Sequence, residues 1–138
     1  MTTALTCFGI GLVAGLRSMT APAAVALSSR GRGSKRYVVA ALALGELVAD
    51  KLPMTPSRKS ALPFAGRIMT GALSGALLGA RDGALVTGLV AGMAGAIVGT
   101  LGGAEVRERL ADTLGADLPA ALLEDLVAVA GAALLVTR

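Results

Sequence analysis

The chain has 138 residues, of which 54% are hydrophobic and 16% charged, with a formal net charge of +4 and a mean hydropathy of +0.74. Soluble domains carry less apolar side chain and about 25% charged residues, so this composition favours an integral membrane protein. With no histidine and one cysteine, Cys7, the chain cannot form a soft-ligand metal site, ligate haem through histidine, form an intrachain disulfide or supply the base of Ser-His or Cys-His catalysis. We therefore expect no metal site, no cofactor and no enzymatic activity.

The first apolar run, residues 3–27, contains Arg17-Ser18 and, five residues after the arginine, Pro22. A charged side chain is costly in hydrocarbon, and proline interrupts a helix. This pattern predicts a membrane helix broken near Arg17–Pro22, because loosened backbone is tolerated where it is buried in protein or lines a cavity. The alternative interpretation is that Arg17 snorkels to lipid headgroups.

The second apolar run, residues 37–52, follows a basic loop and carries Glu46 and Asp50. Their spacing of four places both carboxylates on one helical face. We expect Arg17, Glu46 and Asp50 to face one polar cavity near the middle of the bilayer. The carboxylates then either carry a proton or are neutralised by Arg17 or Lys51, and the pattern leaves both alternatives open.

The third and fourth runs, residues 64–80 and 84–104, meet at the tight turn 81–83, which predicts antiparallel neighbouring helices. Glycines at steps of four, which allow close helix packing, are Gly71, Gly75 and Gly79, then Gly88 and Gly92, then Gly95, Gly99 and Gly103. The uncharged stretch 83–104 is long enough to cross a bilayer core of about 30 Å. The polar stretch 105–117 is either a short surface helix or a helical extension.

The fifth run, residues 120–136, begins after Pro119, a residue suited to a first helical turn. It carries Glu124 and Asp125, which are further candidates for proton or cation binding. Residues 11–15 also recur in sequence as residues 88–92. If the two halves form a repeat, each with a glycine-rich and an acidic helix, the second half is inverted, as in many secondary transporters.

Together these runs predict an all-α bundle, a single transmembrane domain over residues 1–138 with about five transmembrane helices and its ends on opposite sides. Apart from Arg17, the 13 basic residues divide equally between the two sides, and the dense first loop favours the cytoplasm for its side. We expect a multi-pass protein of the cell membrane that contacts lipid, forms a homodimer and binds no nucleic acid, because the basic loop lacks an aromatic or β framework.

Four motifs carry a resemblance to a known family: residues 15–22, residues 45–53, Pro56-Ser57-Arg58 and Gly66-Arg67. Together they resemble a family of small bacterial integral membrane proteins catalogued as a domain of unknown function, family 4126. The resemblance implies a helical membrane protein and supplies no substrate. It marks as signature positions Arg17, Glu46, Asp50, Lys51, Arg58 and Arg67.

These observations favour an ion- or proton-coupled transporter or channel for a small charged solute. Arg17 and Ser18 would hold an anionic group beside the N-terminus of a half-helix. The alternative is a non-transport scaffold or lipid-binding accessory protein, in which Arg17 and Glu46 form a structural ion pair. The predicted substrate- or ion-binding set is Arg17, Ser18, Glu46, Asp50, Lys51, Arg58, Arg67, Glu124 and Asp125.

Overall fold

A computed structural model describes residues 2–29, 33–49 and 61–137 of the chain. This part forms α1 Thr3–Leu16, α2 Thr20–Ser28, α3 Lys35–Ala49, α4 Ala61–Ala80, α5 Leu85–Leu114 and α6 Asp117–Val136. The all-α prediction is confirmed for these residues. By length and composition three helices, α4, α5 and α6, could span a membrane, so the count of about five transmembrane helices is not confirmed.

The first two helices fold back on each other instead of continuing in one direction. Thr3 Oγ1 at the start of α1 donates to Asp82 Oδ2 at 2.7 Å, and Arg81 Nη2 donates to Ser28 Oγ at the end of α2 at 2.9 Å. Arg81 and Asp82 are neighbours in the turn between α4 and α5, whereas a straight helix over residues 3–28 would separate its ends by about 38 Å. The α1–α2 segment is therefore a hairpin, and residues 17–19 form its tip.

The end of the bundle that contains the α4–α5 turn is called here the turn end, and the opposite end the far end. A Cβ placed on Gly11 or Gly15 would meet Gly92 or Thr100 respectively, so α1 runs parallel to α5. An inverted repeat requires these two glycine-rich helices to run in opposite directions. The predicted inverted two-helix repeat is therefore wrong.

The helix α5 packs directly against α4 and α1 through backbone. A Cβ on Gly75 of α4 would lie 2.2 Å from the carbonyl oxygen of Gly88, and one on Gly95 would lie 2.1 Å from that of Phe8. Both distances are far below van der Waals contact, so a side chain at Gly75 or Gly95 would force these backbones apart.

The last helix returns to the turn end, where the described chain also begins. Leu135, near the end of α6, lies 3.0 Å from a Cβ placed on Gly9. The helix α6 thus runs antiparallel to α1, and small buried side chains, among them Ala14, Ala96 and Ala128, fill the space between α1, α5 and α6. The described residues near both ends of the chain thus lie toward the turn end, whereas the sequence analysis predicts ends on opposite sides of the membrane.

The polar stretch after residue 104 belongs mostly to α5, so it is the predicted helical extension and not a separate surface helix. The helix continues to Leu114 and ends where Gly115 adopts a left-handed conformation with φ of 72°. Glycine is favoured there because it lacks the Cβ that makes this conformation costly. The helix α6 then starts at Asp117 and keeps Pro119 in its first turn.

Candidate functional site: a polar cluster at the hairpin tip

Two helix ends meet at the hairpin tip, and their terminal backbone groups have no partner within their own helix. The carbonyls of Gly15 and Leu16 end α1, Arg17 adopts an extended conformation with φ of −143°, and α2 begins at Thr20. The last carbonyls and first N–H groups of a helix have no partner within it and need one elsewhere when they are buried. The helix breaks within the region that the sequence predicted.

The amino end of α2 is occupied by the carboxylate of Glu46 from α3. The Ser18 N–H donates to Oε1 at 2.8 Å, the Met19 N–H donates to Oε2 at 2.7 Å, and Ser18 Oγ donates to Oε1 at 2.5 Å. A helix N-terminus favours negative charge through its dipole and its free N–H groups. The tip therefore contains an anion-binding arrangement whose occupant is a side chain of the protein itself.

The carboxyl end of α1 is capped by Arg67 of α4. Its Nη1 donates to the carbonyl oxygens of Gly15 at 2.7 Å and Leu16 at 3.2 Å, and the side chain is 4% exposed. A guanidinium suits this position because the C-terminus of a helix carries partial negative charge. The buried Thr100 of α5 donates to the carbonyl oxygen of Ala96 at 2.8 Å and lies within 3.3 Å of that of Gly15.

Arg17 is fully buried and forms a salt bridge and hydrogen bond with Asp125 of α6, whose side chain is 16% exposed. Burial of an arginine in an apolar bundle is strongly unfavourable unless a carboxylate and further hydrogen bonds compensate for lost water. The pair ties the hairpin tip to α6. The prediction that Arg17 points inward, and not to lipid headgroups, fits this burial.

The cluster lies inside the bundle and its described charges balance. Arg17 and Arg67 are opposed by Glu46 and Asp125, one cation for each anion. Arg67 precedes the end of α4 by 13 residues, which places it about 20 Å from the turn end. Asp125 follows the start of α6 by eight residues, about 12 Å from the far end. In a hydrocarbon core of about 30 Å the cluster would therefore lie well below either surface.

The structure brings together five of the predicted residues: Arg17, Ser18, Glu46, Arg67 and Asp125. Glu124 points elsewhere and faces Arg107, with 3.5 Å between Oε2 and Nη1. The predicted positions Asp50, Lys51 and Arg58 lie outside the described residues.

The pairing within the cluster differs from the predicted ion pair between Arg17 and Glu46. Glu46 binds the backbone of residues 18 and 19, and Asp125 binds Arg17. Sequence reasoning also missed Thr100, a polar side chain that the glycine pattern of α5 gave no reason to select.

A comparison of the chain with family models, with curated proteins and with solved structures found no match. The resemblance to the family of small bacterial membrane proteins therefore remains a prediction from the motifs alone.

Proposed function

We propose that the protein is a multi-pass protein of the cell membrane in which α3, α4, α5 and α6 cross the bilayer. The α1–α2 hairpin would enter from the turn end and return to it. The apolar helices α4, α5 and α6 are long enough to cross a membrane. The helix α3 comes after α2, which ends at the turn end, and leads from there toward the hairpin tip. Arg81 lies at the turn end, and the dense basic loop comes directly after α2, which ends there. We therefore assign the turn end to the cytoplasm.

Reporter fusions at the two ends of the chain test this topology. We expect both reporters to be active on the cytoplasmic side, because the described chain begins and ends toward the turn end. Reporters on opposite sides would support the five-span arrangement and contradict the hairpin.

We further propose that the hairpin tip carries out proton-coupled transport of a small monovalent anion. The observation that supports this function is the carboxylate of Glu46 held by two N–H groups and a hydroxyl at the start of α2. The same donors would bind the carboxylate or an inorganic oxyanion of a solute equally well, because they recognise negative charge and not a particular residue.

Protonation of Glu46 provides a way to exchange the internal anion for an external one. A hydrogen bond to a charged group contributes about 1.5–3 kcal/mol, whereas one to a neutral group contributes about 0.5–1.5 kcal/mol. Once neutral, Glu46 would bind the start of α2 less strongly. An external anion with the same single negative charge would then replace the carboxylate on these donors, so proton and anion would move together.

The second candidate function is a non-transport membrane scaffold, and the same cluster supports it. Each of the four charged side chains already has a partner that joins two helices: α1 with α4, α2 with α3, and the tip with α6. In that case Glu46 acts only as a helix cap, and its charge holds α3 against the hairpin.

Transport assays in proteoliposomes separate the two functions. Purified protein is reconstituted with an internal pH-sensitive dye, and gradients of chloride, nitrate, formate and acetate are imposed in turn. We expect the wild type to take up protons with at least one of these anions. Glu46→Gln, which keeps an acceptor oxygen, should remain folded and show the proton flux of protein-free liposomes.

The matched control is Glu105→Gln, since Glu105 is an exposed carboxylate on the extension of α5 that pairs with Arg109. We expect this variant to transport at the wild-type rate. Wild-type flux that Glu46→Gln leaves unchanged, or no flux with any anion in folded wild-type protein, would refute the transport function and favour the scaffold.

A further inference from the structure

A groove of about 340 Å³ lies between α2, α3 and α6, on the turn-end side of the hairpin tip. It is left open by small side chains on all three helices, the alanines Ala23, Ala24, Ala40, Ala43, Ala132 and Ala133. Its volume is at the lower end of the range of about 300–1,000 Å³ for pockets that bind small molecules. We call it the alanine groove.

The alanine groove begins beside the anion-binding donors of the tip. Thr20, which lines the groove, directly follows Met19, whose N–H donates to Glu46. On α3, Ala43 lines the groove about one helical turn before Glu46. From Thr20 the groove follows α2 as far as Leu27, about 10 Å closer to the turn end. The bound carboxylate and the groove are therefore neighbours between α2 and α3.

The walls of the alanine groove are apolar. Thr20 supplies the one polar side chain among its described lining residues, and the others are alanine, leucine and valine. Aliphatic walls offer no hydrogen-bond donor to a chloride or nitrate ion that leaves water. Each methylene group that they cover contributes about 0.8 kcal/mol, which is about fourfold in affinity. The groove therefore favours an aliphatic chain over a bare inorganic ion.

The side chain of Glu46 shows which kind of ligand would use both features. It is a carboxylate at the end of a short aliphatic chain, and it reaches the start of α2 from α3. A free aliphatic monocarboxylate has the same charged head and the same kind of tail. With its carboxylate on the donors of Ser18 and Met19, its tail would pass Ala43 and lie in the groove.

The alanine groove is open on the outside of the bundle. Leu27 and Leu44, which line it, are 48% and 64% exposed. A small ligand can therefore enter the groove while the helices stay packed around the hairpin tip.

We infer that the substrate of the hairpin tip is a short aliphatic monocarboxylate whose tail lies in the alanine groove. The inference rests on the proposed exchange of Glu46 for an external anion, and it adds selection by the tail. Carboxylates with a short alkyl chain bind more tightly than formate, and formate binds more tightly than chloride or nitrate.

Ligand rescue of Glu46→Ala tests the inference without a transport measurement. This variant removes the internal carboxylate and keeps its donors at the start of α2. The purified variant is heated in detergent micelles with sodium formate, acetate, propionate or butyrate, and with sodium chloride at the same ionic strength. A ligand that binds the folded state raises the unfolding temperature with its concentration, which gives the dissociation constant.

We expect the affinity to rise about fourfold with each added methylene group, about 60-fold from formate to butyrate. Chloride should bind more weakly than formate. Glu46→Gln, which keeps an acceptor oxygen, provides a second series should Glu46→Ala not fold, and we expect the same order of ligands with lower affinities.

Two leucine variants, each combined with Glu46→Ala, locate the tail. Ala133→Leu fills part of the alanine groove from α6. The matched control is Ala130→Leu, since Ala130 is likewise an exposed alanine of α6 but does not line the groove. We expect Ala133→Leu to remove most of the preference for butyrate over formate and Ala130→Leu to keep it.

Equal affinities for formate and butyrate, as expected if a lipid acyl chain fills the groove, would overturn the inference and leave the proposed anion exchange standing. An equal loss of preference in the two leucine variants would also overturn it. Binding of no anion to either Glu46 variant would overturn the inference together with the anion site on which the proposed function depends.

Discussion

Arg17 and Arg107 form similar ion pairs in two different environments. Each pairs with an aspartate of α6, and the two aspartates are eight residues apart, about 12 Å along the helix. Arg17 is completely buried, whereas Arg107 is 17% exposed and its partner Asp117 is 65% exposed. Water reaches the carboxylate of Asp117 and can replace a lost partner there, whereas Arg17 is shielded from water. Loss of the buried pair should therefore cost more than loss of the exposed pair of Arg107 with Asp117.

Removal of one member of the buried pair should give the largest effect. Arg17→Gln removes the buried guanidinium that binds Asp125, and breaking a buried pair in this way costs about 3–5 kcal/mol. We expect a loss of that size in the free energy of unfolding, measured by reversible denaturation in mixed micelles. Asp125→Asn should behave similarly.

The double variant Arg17→Gln with Asp125→Asn should recover part of the loss, because it leaves neither charge buried alone. A loss below about 1 kcal/mol in Arg17→Gln, the range of exposed pairs, would show that Arg17 is solvated in the protein and not held by α6.

The exposed pair of Arg107 with Asp117 should give a smaller effect. Arg107→Gln leaves Asp117 in water but removes a cation close to Glu124, so we expect a loss of about 1–3 kcal/mol in the same measurement. Asp117→Asn should cost less than about 1 kcal/mol because the carboxylate is mostly exposed. The control is Arg109→Gln, which removes the exposed ion pair between Arg109 and Glu105, one helical turn apart. We expect this variant to lose about 0.3–0.5 kcal/mol. An Arg107→Gln loss equal to that of Arg17→Gln would remove the distinction between the two environments.

Much of the fold could be predicted from hydropathy and from the placement of charges in the sequence. They located the apolar helices, the break near Arg17 and the antiparallel α4–α5 pair, because uncharged runs, a buried arginine and a tight polar turn are local features. They did not show that α2 turns back. The nine residues of α2 are as apolar as a membrane-spanning segment, and apolar composition does not specify direction.

The partners within the site were harder to predict than its members. Arg17 was matched with Glu46, which is closer in sequence, but its partner is Asp125, 108 positions away. That choice depends on the rotation of α6 and on how far the hairpin lies along α5, and the position along α5 is set by glycine contacts such as Gly11 with Gly92. Backbone contacts of this kind involve no side-chain chemistry that a sequence pattern could display.

The distance between Arg17 and Asp125 along the chain also has a consequence during synthesis. At about 5–20 residues per second, the ribosome takes about 5–20 s to add the 108 residues from the one after Arg17 up to and including Asp125. Throughout that time the hairpin has its arginine but not Asp125. In the proposed topology, the salt bridge that joins the hairpin tip to α6 therefore forms only after α6 has been inserted.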